Sequence, residues 1–185
     1  MAQAGERVSV PGFVDWLEIQ ESTPDVLRYE IAFRPRAVIT REHVHPGQAE
    51  LHEVLSGQLR LKVDGNVHAL TEGQSMVVAA GTPHAVLAGG GPVRMRFELR
   101  PALRWGSLID LAARLGRQRQ RNVRGYVNPL LVALVAMEYR PEVYATRPPL
   151  PVQDAVLRPL AAVARRLGYD RRYLDPGITS TPASA

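Results

Sequence analysis

The chain has 185 residues, no cysteine and a formal net charge of +5, carried by 22 arginines and one lysine. That length suits one domain with an appendage and is enough to bury a core without staples. The missing cysteines exclude disulfides and any thiolate metal site, and they fit a reducing compartment.

The N-terminal stretch MAQAGERVSVPGF has no apolar region of the kind a secretory leader needs, so a cytoplasmic protein is expected. From about Val26 to Arg100 the pattern favours strands. RYEIAFRPRAVIT alternates and then breaks at Pro35. In QLRLKVDGNVHAL, Leu59, Leu61 and Val63 alternate with Arg60 and Lys62, and Asp64-Gly65 supplies a hairpin turn. QSMVVAAGTPHAVLAGGG holds two more strands around Gly81-Thr82-Pro83. In PVRMRFELRP, Val93, Met95, Phe97 and Leu99 alternate with charged residues. Many short strands with close turn signals point to a sandwich or barrel.

After Pro101 the period lengthens. Leu108, Leu111 and Leu115 stand at helical spacing. Asn128-Pro129 reads as a cap and first-turn proline for a helix running to about Tyr139. Its Leu130, Leu131, Leu134 and Val135 are expected to pack on the barrel, as a lid over its mouth or as a dimer contact. RPPLP (Arg147–Pro151) reads as a stiff connector. A third helix is expected from about Val152 to Leu167, with Gly168 as its C-terminal cap and Pro159 kinking or splitting it. The chain thus divides into a β part (1–103), a helical extension (104–176) and a small polar tail (177–185), expected to be disordered. The longest apolar run, Leu130–Met137, is too short to span a bilayer. The densest basic patch, Arg114–Gly125, has no aromatics among its arginines. It reads as a solvated helix end and loop, and nucleic acid is not expected as a partner.

All five histidines fall between positions 43 and 84. His43 and His45 share a face only if the segment is extended, and its β-branched composition favours that. On a following strand, Glu50 and His52 share one face while Leu51 and Glu53 take the other. His84 stands just after a tight turn. Arg41 shares parity with His43, so it either meets an anionic substrate or pairs with Glu50 or another carboxylate. Gln48, in the loop between these residues, either faces water or joins Arg41 on the substrate side. His68 reads as a surface or edge residue.

The spacings resemble the two motifs of the cupins. The first reads His43-x-His45, four residues, Glu50, six residues, Gly57. The second reads Gly73, five residues, Ala79, one residue, Gly81, two residues, His84. Ala79 stands where a proline is usual, Ala88 where an asparagine is frequent, and the glycine expected ahead of the first motif is Ala37. The resemblance covers about Val38 to Leu99. It implies a mainly β fold, a double-stranded β-helix (jelly-roll) barrel followed by an α-helical extension. It also implies a divalent transition metal held by His43, His45, Glu50 and His84. Three imidazoles and a carboxylate suit iron, manganese, nickel, copper or zinc. An octahedral ion keeps two positions for water, dioxygen or a substrate. His52 is then either a general base beside the metal or a hydrogen-bonded group steadying Glu50. The implied function is a metal-dependent enzyme acting on a small organic molecule, favoured as an oxygenase. The alternatives are a cyclase or isomerase and a non-catalytic binder. A homodimer is expected, because cupins commonly pair through their sheets.

Overall fold

The computed structural model describes residues 5, 7–10, 14–33, 40–88, 90–117 and 128–174. Most of the basic patch, Ala37 and the polar tail lie outside them. The strands are β1 (Arg7–Val10), β2 (Val14–Ser22), β3 (Leu27–Phe33), β4 (His43–Val44), β5 (Ala49–Ser56), β6 (Gln58–Val63), β7 (Asn66–Thr71), β8 (Ser75–Val78), β9 (His84–Ala88), β10 (Val93–Arg100) and β11 (Tyr144–Ala145). They form two antiparallel sheets, ordered β1-β2-β3-β10-β5-β8 and β11-β4-β9-β6-β7. With the helices that follow, this is a jelly-roll barrel carrying a helical extension.

The period-2 patterns explain the layering. Leu27, Tyr29, Ile31 and Phe33 of β3 and Val93, Met95, Phe97 and Leu99 of β10 are buried, and they join Leu59 and Leu61 of β6 in one core. Burying such side chains is the main force holding the sheets together. The intervening residues form a charged ladder on the outer face. Arg96 lies opposite Glu30 and Glu53 in register and reaches both, at 3.2 and 2.7 Å. Such cross-strand pairs help fix register on the solvent side.

Two glycines are forced by geometry. Gly57, between β5 and β6, has φ +86°, and a Cβ there would lie 2.4 Å from the Pro92 carbonyl oxygen. Gly81 has φ +78° and donates its N–H to the His45 carbonyl at 2.8 Å, which ties the turn before His84 to the end of the HxH segment. The β6–β7 turn has positive φ at both Asp64 and Gly65, as a tight two-residue hairpin requires.

The helices are α1 (Trp105–Arg117), α2 (Pro129–Glu138), α3 (Leu150–Arg166) and α4 (Tyr169–Tyr173). Asn128 caps α2, its side chain accepting the Leu130 N–H at 2.9 Å. The third helix begins at Leu150, inside the expected connector, and continues through Pro159 without dividing. Leu111, Leu134, Tyr139, Ala164 and Leu174 form a second core. The residues of α2 therefore pack among the helices, and Leu130 and Val135 lean on that same cluster. It is α1 that touches the barrel core, through Ile109 and Trp105. Three strands were not expected. β1 and β2 extend the larger sheet, and β11 returns the extension to the barrel by pairing with β4, Ala145 opposite His43. No described helix is long and apolar enough to cross a membrane.

Candidate metal centre

His43 and His84 face each other across the β4–β9 pair, and Glu50 comes from β5 in the opposite sheet. His45 stands just beyond β4. One ligand-capable atom from each of His43, His45, Glu50 and His84 lies within 4.8 Å of all the others. The imidazole centroids are 5.0 Å apart for His43 and His45, 4.3 Å for His43 and His84, and 5.5 Å for His45 and His84. Glu50 Oε2 lies 2.8 Å from His84 Nε2 and 3.6 Å from His45 Nε2.

The backbone orients all three rings in the same way. His43 Nδ1 sits 2.7 Å from the Arg41 carbonyl, His84 Nδ1 2.9 Å from that of Thr82, and His45 Nδ1 3.0 Å from that of Glu142. A carbonyl only accepts, so each Nδ1 must carry the proton. Each Nε2 is left facing the cluster, and that of His45 is buried with no hydrogen-bond partner among the described residues. Binding a metal through one ring nitrogen while the other donates to a carbonyl is the usual arrangement of histidine ligands. The four residues thus fit a divalent transition ion.

Charge states agree with this. Burial pushes the His43 pKa down to about 4, with the neighbouring His84 acting in the same direction. Burial also lowers that of His45. Burial works to raise the Glu50 pKa, but His52, His84 and His45 outweigh it and bring it down to about 2. For His84, burial works downward, but the bond to Glu50 wins and raises the pKa. Among the protein groups alone, one carboxylate faces one imidazole that favours the proton and two that do not.

A cavity of about 520 Å³ adjoins the cluster, with His43 and Glu50 on its wall. Most of its lining is apolar: Leu17, Ile31, Phe33, Val86 and Phe97 from the barrel, Trp105, Leu108, Ile109 and Ala112 from α1, and Val143. The polar exceptions, besides the two ligands, are Thr40, Arg41 and Tyr29. Tyr29 was not singled out from the sequence. Its ring stacks on Phe97 at 5.2 Å, and its hydroxyl accepts from Trp105 Nε1 at 3.4 Å. Burial, reinforced by the Glu50 charge, raises its pKa well above the usual phenol range. Its position on β3, facing inward with Leu27 and Ile31, was the available signal.

The remaining expected site residues are placed as follows. Arg41 is exposed and lines the cavity. Gln48 neither faces water nor lines the cavity. It is 1% exposed, donates to the Pro101 and Ala102 carbonyls at 2.9 and 3.0 Å, and puts Oε1 3.2 Å from His45 Nδ1. Its side chain is thus turned to the Pro101 and Ala102 carbonyls and to His45, away from the cavity where a substrate contact was expected. His52 is fully buried and does not line the cavity; its Nε2 lies 3.6 Å from Glu50 Oε2 and its ring stands edge-on to Phe97 at 4.9 Å. A general base must reach the substrate proton. The hydrogen bond to Glu50 that the alternative supposes is not formed either: 3.6 Å is too long for one, and neither ring nitrogen has a partner among the described residues. His68 is exposed on β7.

A closed roll of sheet with an inward-facing histidine–glutamate cluster defines a class of small metal-site barrels, and the sequence comparison narrows it. Residues 29–98, the greater part of the barrel, match the family of the cupin domain. Similar solved structures include KdgF from Halomonas sp., with 21% identity over 52% of this chain and 86% of that one (TM-score 0.48). An RmlC-like cupin from Shewanella frigidimarina shares 20% identity over 53% and 85% (TM-score 0.46). A cupin-superfamily sugar phosphate isomerase from Silicibacter pomeroyi shares 18% over 45% and 59% (TM-score 0.41). At these identities the likeness is one of fold. No curated protein sequence matches the chain.

Proposed function

We propose that this protein is a metal-dependent enzyme that acts on a small, largely apolar organic molecule, with an oxygenase reaction favoured. The observation that carries the reading is the convergence of three imidazole Nε2 atoms and the Glu50 carboxylate beside an apolar cavity of about 520 Å³. When bound there, a divalent transition metal supplies Lewis acidity and, for a redox-active ion, reaction with dioxygen. The protein's own groups do the rest. Ile31, Phe33, Leu108 and Ile109 exclude water and bind the apolar body of the substrate. Arg41, at the exposed side of the cavity, attracts an anionic group. His52 fills the buried space beside Glu50, off the cavity wall. The few polar groups on the walls argue against a polyhydroxylated substrate, whose hydroxyls would be buried unpaired.

Tyr29 favours a second reading. Tyr29 lines the cavity and burial keeps its hydroxyl protonated at neutral pH, so it can donate a hydrogen bond to a developing anion. That suits a cyclase, isomerase or lyase without redox chemistry. Elemental analysis of the purified protein, followed by oxygen-uptake measurements with apolar monocarboxylates, separates the two. Bound iron, manganese, nickel or copper with stoichiometric oxygen consumption supports the oxygenase. Zinc, with equal turnover in air and under nitrogen, supports the second reading, and absence of any stoichiometric metal refutes both.

A further inference from the structure

The acceptor that fixes His45 does not belong to the barrel. It is the carbonyl of Glu142, 97 positions further along the chain, where α2 has ended and the path turns toward β11. That carbonyl is held by its own side chain. Glu142 Oε1 accepts from Arg104 Nε at 2.5 Å, and Oε2 accepts from the Arg104 backbone N–H at 3.2 Å. The same guanidinium donates to the Glu138 carboxylate at 3.0 Å and to the Glu138 carbonyl at 2.8 Å. Arg104 stands between the end of the barrel and α1. One arginine therefore clamps the end of α2 against the point where the barrel ends. The contacts continue along the same edge. Trp105 meets the His45 ring at 4.8 Å, Ala145 pairs with His43, and the Thr146 N–H donates to the Glu42 carbonyl at 3.1 Å. Both histidines of the HxH pair thus touch the extension.

We propose that Arg104 and Glu142 are positioning residues for the metal centre: their ion pair holds the 142 carbonyl against His45 Nδ1 and makes metal affinity depend on docking of the C-terminal extension. The proposal rests on the metal reading above. Groups that orient a ligand from behind typically contribute about 10–100-fold to metal affinity. Linkage is reciprocal, so the ion stabilises the docked extension by the same factor.

The test is a cobalt(II) titration of the full-length, metal-stripped protein, followed by the visible absorption of the ion. Glu142→Ala and Arg104→Met should each weaken cobalt binding by about 10–100-fold and alter the band envelope. Glu142→Gln removes the charge and leaves one oxygen where Arg104 donates to two, so it should fall between the wild type and Glu142→Ala. Hydrogen exchange of the wild type gives a second measurement, independent of whether the variants fold. Cobalt should slow exchange at residues 142–146 more than in α3. Wild-type affinity in Glu142→Ala and Arg104→Met, or exchange at 142–146 that cobalt leaves unchanged, overturns the proposal while the metal reading stands. A wild-type protein that binds no cobalt overturns both.

Discussion

Gly57 and Gly81 are both motif glycines, both have a positive φ, and the structure predicts that replacing them by alanine has different consequences. At either position an L side chain in the left-handed region costs about 1–2 kcal/mol. Stiffening the unfolded chain opposes that by about 0.4–1 kcal/mol when glycine becomes alanine. At Gly81 nothing lies within 4 Å of a new Cβ, so backbone strain alone remains, a net loss of about 0.5–1 kcal/mol. At Gly57 the same Cβ lies 2.4 Å from the Pro92 carbonyl oxygen and 3.3 Å from Val93 Cα, both backbone atoms that cannot rotate away. The start of β10 must move, and forcing atoms into a packed site typically adds about 1–3 kcal/mol. Gly57→Ala should therefore lose about 2–4 kcal/mol in all. Urea unfolding of the metal-stripped variants, compared at equal slope, measures the difference directly. Stabilities for Gly57→Ala and Gly81→Ala within about 0.5 kcal/mol of each other would refute the reasoning, because they share every contribution but the clash.

Three further outcomes are expected. Glu50→Ala and His84→Ala should each lose bound metal in elemental analysis while keeping the far-ultraviolet dichroism of the wild type, since neither side chain supplies a large part of the apolar core. Ala112→Phe places a ring inside the cavity from the α1 side; it should abolish substrate binding by calorimetry and leave the metal content intact. At Glu98, burial raises the carboxyl pKa, but hydrogen bonds from Arg100 and Arg28 at 2.6 and 2.7 Å overcome it and hold the pKa below its ordinary value. A depressed folded pKa contributes stability above the unfolded value of about 4.3 and loses it as pH falls through the lower folded value. Glu98→Gln should thus be less stable than the wild type at pH 6, with the gap closing in urea unfolding below pH 4.

What the sequence reveals of the fold and site follows from period and spacing, and what it hides follows from the backbone. Leu59, Leu61 and Val63, or Val93 to Leu99, announce their faces because a strand alternates with period 2. The same parity brings Glu50 and His52 to one face, and the motif spacing brings Glu50 to the histidines. The acceptors behind the rings are carbonyls of Arg41, Thr82 and Glu142, and a carbonyl has no residue type to read. Gln48 has the composition of a loop residue, and only the fold shows that the Pro101 and Ala102 carbonyls pass beside it. Tyr29 reads as one more core aromatic until the cavity is seen to open against it. β11 spans two residues, too few to carry a periodic signal at all.

The division of labour in the molecule runs along the chain. All four candidate ligands come from the β part, between His43 and His84, whereas α1 and Val143 close the cavity beside them. A barrel of this kind presents its ligands wherever sheet register puts them, and register is set by core packing far from any substrate. The wall residues Leu108 and Ala112 are freer, because they project from a helix laid across the barrel and lie outside its core, whereas Trp105 and Ile109 pack into that core and Trp105 meets the His45 ring. The cavity wall is thus shared by both parts, whereas the candidate ligands belong to the barrel alone. The contacts of Arg104, Trp105 and Glu142 around His45 are where the two parts meet.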